Sequence, residues 1–293
     1  MEKILSKYKF QVELIKNIEY HQKTYPVYQI SEGNKINPKA QILLTGAIHG
    51  LEKIGANIIF SFLKIIKNKK INLENIHIIA IPIANPYGYV NETRCNGNNV
   101  DLMRNAPFDA ERVVPFLGGH KISNFFPYYR GEKLEEENLI LVNLVDELLL
   151  KEIPLFHLDI HSGFGNETEI WTPQDTYIDV NNSLYRLFKH SCFIFKNQPY
   201  NSHGDMLKYL FDTFKHKKKY VPVTLEIGFF YKINSLKEIS FWKKFLKNPF
   251  KFLKFKRWFF SPKYGEKRKV IRVHTQFLID LVQKINKNPL LYE

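Results

Sequence analysis

Short, largely apolar runs alternate along the chain with longer stretches in which apolar residues recur every three to four positions. The short runs are Tyr25–Ile30, Gln41–Ala47, Ile76–Ile83, Phe156–Ile160, Glu169–Trp171, Phe193–Phe195 and Val221–Ile227. Runs such as ILLTGAI and IHIIAIPIA show almost no polar alternation, which predicts strands covered on both faces. The longer periodicity predicts helices over Leu51–Ile66, Lys133–Leu150, Tyr177–Lys189, Asp205–Phe214 and Val270–Ile285. Asp175, with Asp179 in the first turn, supplies a start signal for the third of these. Such alternation predicts an α/β fold with a mainly parallel central sheet and helices on both faces. Between Gly88 and Gly131 the periodicity fades and turn-forming residues crowd in. Loops of that length are commonly functional. No internal repeat stands out and no linker divides the chain before Lys237, so one domain over residues 1–293 is expected.

Composition narrows the class. A chain of 293 residues with 44% apolar residues, 24 Phe and 16 Tyr holds enough apolar mass for a large core, which excludes disorder. Fourteen Gly, fourteen Pro and two Cys exclude collagen-like and disulfide-scaffold proteins. No apolar stretch is long enough for a membrane span, and the first residues lack the apolar core of a signal peptide. The cytoplasm is the expected compartment, with Cys95 and Cys192 reduced. The net charge of +14 is concentrated. Between Lys237 and Arg272 stand thirteen Lys/Arg against two acids, while the rest of the chain is nearly neutral. A uniformly basic nucleic-acid-binding protein would not be distributed this way.

Four segments offer chemistry. GAIHGLEKIG places His49 and Glu52 three residues apart just after an apolar run, at the strand edge where open α/β sheets bind ligands. An imidazole and a carboxylate at this spacing can converge on one divalent ion, although a turn histidine and a first-turn helix glutamate have the same look. In HLDIHSG, His161 ends a second apolar run and can complete the His₂Glu set of catalytic zinc. Asp159, two residues earlier on the same face, can orient a ligand. His157 alternates with them, and His161 is preferred because it lies at the strand end. In TLEIG, Glu226 sits inside an otherwise apolar strand, where a carboxylate is costly unless it is paired or functional. Beside water activated by zinc it can act as general base and then pass the proton to a leaving amine. The stretch NPYGYVNETRCNGNNVDLMRN carries Arg94 and Arg104, fixed cations suited to a carboxylate or a developing oxyanion.

Taken in order, HGLE, NPYG, Arg94, DLMRN, IHSG and TLEIG resemble the zinc metallocarboxypeptidase superfamily of carboxypeptidase A/B-like enzymes. The resemblance spans about Gln41 to Gly228 and is nearest in form to a short bacterial branch of unassigned function. The aspartoacylase/succinylglutamate desuccinylase enzymes share much of the pattern. The resemblance implies a mixed, mainly parallel sheet and one Zn²⁺ per chain held by His49, Glu52 and His161. It implies Glu226 as base and acid, Arg94 as the group that polarises the scissile carbonyl, and Arg104 as the clamp on a terminal carboxylate. Tyr200, in PYNSHGD, is the nearest match to the family's mobile tyrosine, at a spacing that differs by one. The implied reaction is hydrolysis of a peptide or peptide-like amide next to a terminal residue. Deacylation of N-acyl amino acids is the enzymatic alternative, and a non-catalytic scaffold that binds membrane or polyanion is the other. One departure stands out: Met103 occupies the place of the Asn that shares the terminal carboxylate with the arginine, and a thioether donates no hydrogen bond.

The segment Phe241–Lys269 interleaves nine Phe and Trp with eleven Lys/Arg, broken by Pro249 and Pro262. It reads either as an insertion whose rings pack on the domain or as a peripheral dock on the anionic inner membrane face. Aromatic stacking on nucleic acid has no recognised motif to support it.

Overall fold

The computed structural model describes residues 10–164, 167–173, 187–189, 193–217, 219–228 and 264–289. Among the described residues eight strands form one sheet: β1 (Gln11–Tyr20), β2 (Lys23–Gly33), β3 (Ala40–Gly46), β4 (Ile76–Ile81), β5 (Leu155–Ser162), β6 (Thr168–Thr172), β7 (Phe193–Asn197) and β8 (Tyr220–Ile227). Their spatial order is β1-β2-β4-β3-β5-β8-β6-β7. The four central strands β4, β3, β5 and β8 are mutually parallel. Beyond them β2 pairs antiparallel with β4, and β6 antiparallel with β8. The sheet is therefore mixed with a parallel centre, as the resemblance implies. Each central strand is buried along its whole length, which explains their near-continuous apolar sequences.

Helices cover both faces. On one side α1 (Lys53–Lys69) and α5 (Tyr264–Lys287) pack with Ile58, Phe62, Phe277 and Leu281 against Ile42, Ile78, Phe156 and Val223. On the other, α3 (Glu136–Leu149) and α4 (Met206–Phe214) pack with Ile140, Val145 and Leu210 against Leu43, Ile79 and Tyr220. In α1 the buried residues Ile54, Ile58, Ile59, Phe62, Leu63 and Ile66 recur at helical spacing. The helix ends where Lys70 turns left-handed and donates its N–H to the Ile66 carbonyl. A short helix α2 (Pro86–Asn91) follows β4, begun by Asn85, whose side chain accepts from the Gly88 N–H.

Several boundaries differ from the sequence expectation. Strand β1 is unpredicted because only Ile18 and Tyr20 of its ten residues are buried. The first helix begins at Lys53 rather than Leu51, since Glu52 takes the cap position. The last begins at Tyr264, so residues 264–272 of the basic segment are helical. The remainder of that segment lies outside the described residues, as do Cys192 and nearly all of the predicted helix Tyr177–Lys189. No described helix is long and apolar enough to cross a membrane.

Candidate active site

The chain leaves β3 toward β4 on one side, and later returns to lay β5 on the other side of β3. That switch in direction opens a crevice at the carboxyl ends of β3 and β5, the usual ligand position in such sheets. Immediately after β3, Ala47 adopts the left-handed region at φ 52. Its carbonyl accepts from the Asn85 N–H, and that of Gly46 from the Ala84 N–H, which ties the ends of β3 and β4 together. Gly50 then passes against Gly88 so closely that a Cβ on it would lie 1.9 Å from the Gly88 carbonyl carbon. The turn delivers His49 and Glu52 to the crevice, β5 delivers His161, and β8 places Glu226 directly beside His161 in register.

His49, Glu52 and His161 are all buried and present one ligand atom each within 4.8 Å of one another. His49 turns Nδ1 to Glu52 Oε1 at 2.7 Å, and His161 turns Nδ1 to Glu52 Oε2 at 3.4 Å. Both opposite ring nitrogens are held by carboxylates: His49 Nε2 by Asp101 at 3.2 Å and His161 Nε2 by Asp159 at 2.7 Å. This is the arrangement expected around a metal, in which an outer carboxylate fixes the ring and leaves the inner nitrogen as donor. The two-nitrogen, one-carboxylate set therefore fits a zinc ion. Burial pushes the Glu52 carboxyl upward, but His49 and His161 outweigh it and hold the group well below the ordinary range. Burial acts the same way on Asp101 and Asp159, and is outweighed by Arg94 and His49 for the first and by His161 for the second.

Glu226 behaves oppositely. Burial and the nearby Glu52 raise its carboxyl to about 8, against the opposing pull of His161 and the Phe164 N–H. That N–H donates to Oε1 at 2.8 Å. Arg94 donates Nε–H to Asp101 Oδ2 at 2.8 Å and lies over the ring of Tyr128 at 5.1 Å. Arg104 is buried, donates from Nη1 to the Met103 carbonyl, and stands 5.9 Å from the ring of Tyr200. Among the described residues its buried Nε–H finds no hydrogen-bond partner. Gly204, at φ +64, lets the next loop press on this turn, since a Cβ there would lie 1.7 Å from the Arg104 carbonyl oxygen.

His49, Glu52, Arg94, Arg104, His161, Tyr200 and Glu226 all line one cavity of about 360 Å³, together with Met103, Phe164, Trp171, Gln198, Asp205 and Thr224. His157 stands apart from it, buried between Thr45 and Tyr220. Asp101, Tyr128 and Asp205 are among the polar groups at or beside the cavity that sequence reading did not single out. Asp101 was in view within DLMRN, but its partners His49 and Arg94 stand 52 and 7 residues away.

A family model described as a protein of unknown function (DUF2817) matches residues 29–116, which include His49, Glu52, Arg94 and Arg104. No curated protein sequence matches the chain. Among solved structures, carboxypeptidase A from Helicoverpa armigera is similar at 16% identity, over 97% of this chain and 71% of its own, with a TM-score of 0.64. Bovine thrombin-activatable fibrinolysis inhibitor, solved with tick carboxypeptidase inhibitor, is similar at 15% identity, over 98% and 94%, with a TM-score of 0.62. A Pseudomonas aeruginosa metallo-carboxypeptidase, solved with (2-guanidinoethylmercapto)succinic acid, is similar at 12% identity, over 100% and 68%, with a TM-score of 0.59. The chain has the fold of the metallocarboxypeptidases.

Proposed function

We propose that this protein is a zinc-dependent hydrolase that cleaves a peptide or peptide-like amide next to a terminal residue. The observation that carries the reading is the buried His49–Glu52–His161 set, with both outer nitrogens held by carboxylates and the carboxyl of Glu226 beside it. Bound there, zinc would supply Lewis acidity, polarising the substrate carbonyl and making water a stronger acid. Glu226 has Oε1 engaged by the Phe164 N–H, which leaves Oε2 to take a proton from the attacking water. With zinc beside it the carboxyl of Glu226 is held ionised, so it can accept the proton of the water and later return it as an acid. Water oxygen joins the carbonyl carbon, the C–N bond breaks, and the proton on Glu226 passes to the leaving amine. Arg94, oriented by Asp101 and Tyr128, stabilises the charge that grows on the carbonyl oxygen. Arg104, with its buried guanidinium, receives the terminal carboxylate, and Tyr200 lies beside it.

The neighbours lend no support to deacylation of N-acyl amino acids or to docking of the 241–269 segment on a membrane. Two measurements test the reading. Metal analysis of His49→Ala and His161→Ala should show strong loss of zinc, and full retention in both would overturn the ligand set. Glu226→Gln should keep zinc and fold but lose hydrolysis by about 10²–10⁴-fold over a panel of C-terminal residues and N-acyl amino acids. Turnover near wild type would assign the proton transfer to another group.

A further inference from the structure

Arg94 and Arg104 lie on one stretch without regular strand or long helix, yet both line one cavity. Something must hold that stretch in shape, and a buried polar cluster outside the cavity is placed to do so. At its centre is Asn96, fully buried. Its Oδ1 accepts the backbone N–H groups of Asn98 and Val100, each at 3.1 Å, which closes the turn between the two arginines. Its Nδ2 donates to the Tyr20 hydroxyl oxygen at 2.9 Å, to Glu135 Oε2 at 2.9 Å and to Glu137 Oε2 at 3.3 Å. Tyr20 in turn donates its hydroxyl to Glu137 Oε1 at 2.9 Å. Asn98 reaches the same Glu135 oxygen at 2.7 Å. Beneath, Asn105 accepts the Glu135 N–H, and Asn138 of α3 donates to the Leu102 carbonyl and to Asn105.

The β1–β2 hairpin closes over this cluster. Gly97 lies flat against Tyr20, so that a Cβ there would sit 2.2 Å from the ring, and the His21 ring reaches the Gly97 carbonyl at 3.0 Å. The Tyr20 ring also packs edge-on against Tyr87 of α2 at 5.4 Å. Two buried carboxylates are a poor way to gain stability, because apolar groups of similar volume are often as good or better. What they provide is geometry. Two carboxylate oxygens at the start of α3, Glu135 Oε2 and Glu137 Oε2, fix where the Asn96 amide points, and the helix N-terminus eases their charge.

We infer that Tyr20 and Asn96, anchored on Glu135 and Glu137, are positioning residues: the β1–β2 hairpin clasps the stretch from Arg94 to Arg104 and sets the two arginines at the reacting site. The inference rests on the reading of Arg94 and Arg104 as substrate-binding groups, but its test has one arm that needs no substrate. In the zinc-loaded full chain, Tyr20→Phe should speed amide hydrogen exchange of residues 96–104 at least tenfold and leave zinc content unchanged. On peptides, the same variant should raise KM and lower the preference for free-acid over amidated substrates, with a smaller change in kcat. Glu137→Gln keeps an oxygen for the Tyr20 hydroxyl and should retain protection to within a few-fold of wild type. Asn98→Ala, at a partly exposed site, should reproduce the loosening more weakly if Tyr20→Phe fails to fold. Wild-type exchange in Tyr20→Phe or, should it not fold, in Asn98→Ala would overturn the inference. So would a lowered melting temperature with the free-acid preference intact, since that is a structural role only. Loosened exchange in a protein that hydrolyses nothing would uphold the clasp and defeat the proposed function. Hydrolysis with unchanged exchange would do the reverse.

Discussion

Asp101→Asn keeps the size of a fully buried side chain and changes only where its hydrogen-bond donors lie. In the native protein Oδ1 accepts from His49 Nε2 at 3.2 Å and from the Met103 N–H at 3.1 Å, while Oδ2 accepts from Arg94 Nε at 2.8 Å. An amide offers one acceptor and two donors to these three donors. With its nitrogen toward Arg94, two N–H groups oppose each other and a bond to a charged group is lost, a cost of about 1.5–3 kcal/mol. With its nitrogen toward His49, the imidazole must become an acceptor at Nε2 and carry its proton on Nδ1. That is the nitrogen facing Glu52, so the ring is then unable to donate to a metal. Loss of such an outer partner typically weakens metal binding by about 10–100-fold, or roughly 1.4–2.8 kcal/mol. Zinc competition against a chelator of known affinity measures the change directly. Asp159→Asn should weaken zinc to a similar degree through His161 while leaving Arg94 undisturbed. Turnover per bound zinc should therefore fall in the Asp101 variant and stay near wild type in the Asp159 variant. An Asp101→Asn protein that binds zinc within twofold of wild type and also keeps wild-type turnover per bound zinc would refute the claim that this carboxylate orients His49 and Arg94.

Other outcomes follow from single contacts. Met103 lines the cavity beside Arg104 but donates no hydrogen bond, so Met103→Asn should raise the preference for free-acid over amidated substrates by about ten- to a hundredfold, the equivalent of one charge-assisted bond. An unchanged ratio would mean that this position does not touch substrate. Burial lowers His157 from 6.5 to about 4. The folded state thus binds fewer protons than the unfolded chain between those values, and the histidine's contribution is complete above 6.5 and lost as pH falls toward 4. The stability difference between wild type and His157→Gln should accordingly shift by about 2 kcal/mol against wild type between pH 7.5 and 5, measured by denaturant unfolding. A pH-independent difference would show that His157 titrates normally.

What could be read from the sequence was what burial imprints on neighbouring positions. Strands β3, β4, β5 and β8 were legible because both of their faces are covered, which leaves apolar runs that end where the sheet ends. His49, Glu52, His161 and Glu226 were legible for the same reason, as polar residues at or near the ends of those runs. Contacts between distant segments leave no such imprint. Asp101 finds His49 across 52 residues and Tyr20 finds Glu137 across 117, with nothing in the local pattern to mark either pair. Strand β1 joins the two failures. Among the described residues it pairs only with β2, most of its side chains face solvent, and its charges mask the alternation of QVELIKNIEY. Judged by burial alone, such a strand has little reason to be there, since Ile18 and Tyr20 are its sole buried residues. Its register brings Tyr20 to the turn with β2, at the point where the hydroxyl meets Asn96 and Glu137. The least predictable strand of the sheet is thus the one that reaches the arginine-bearing loop from outside the cavity, and its place in the fold is explained by that contact more than by the core.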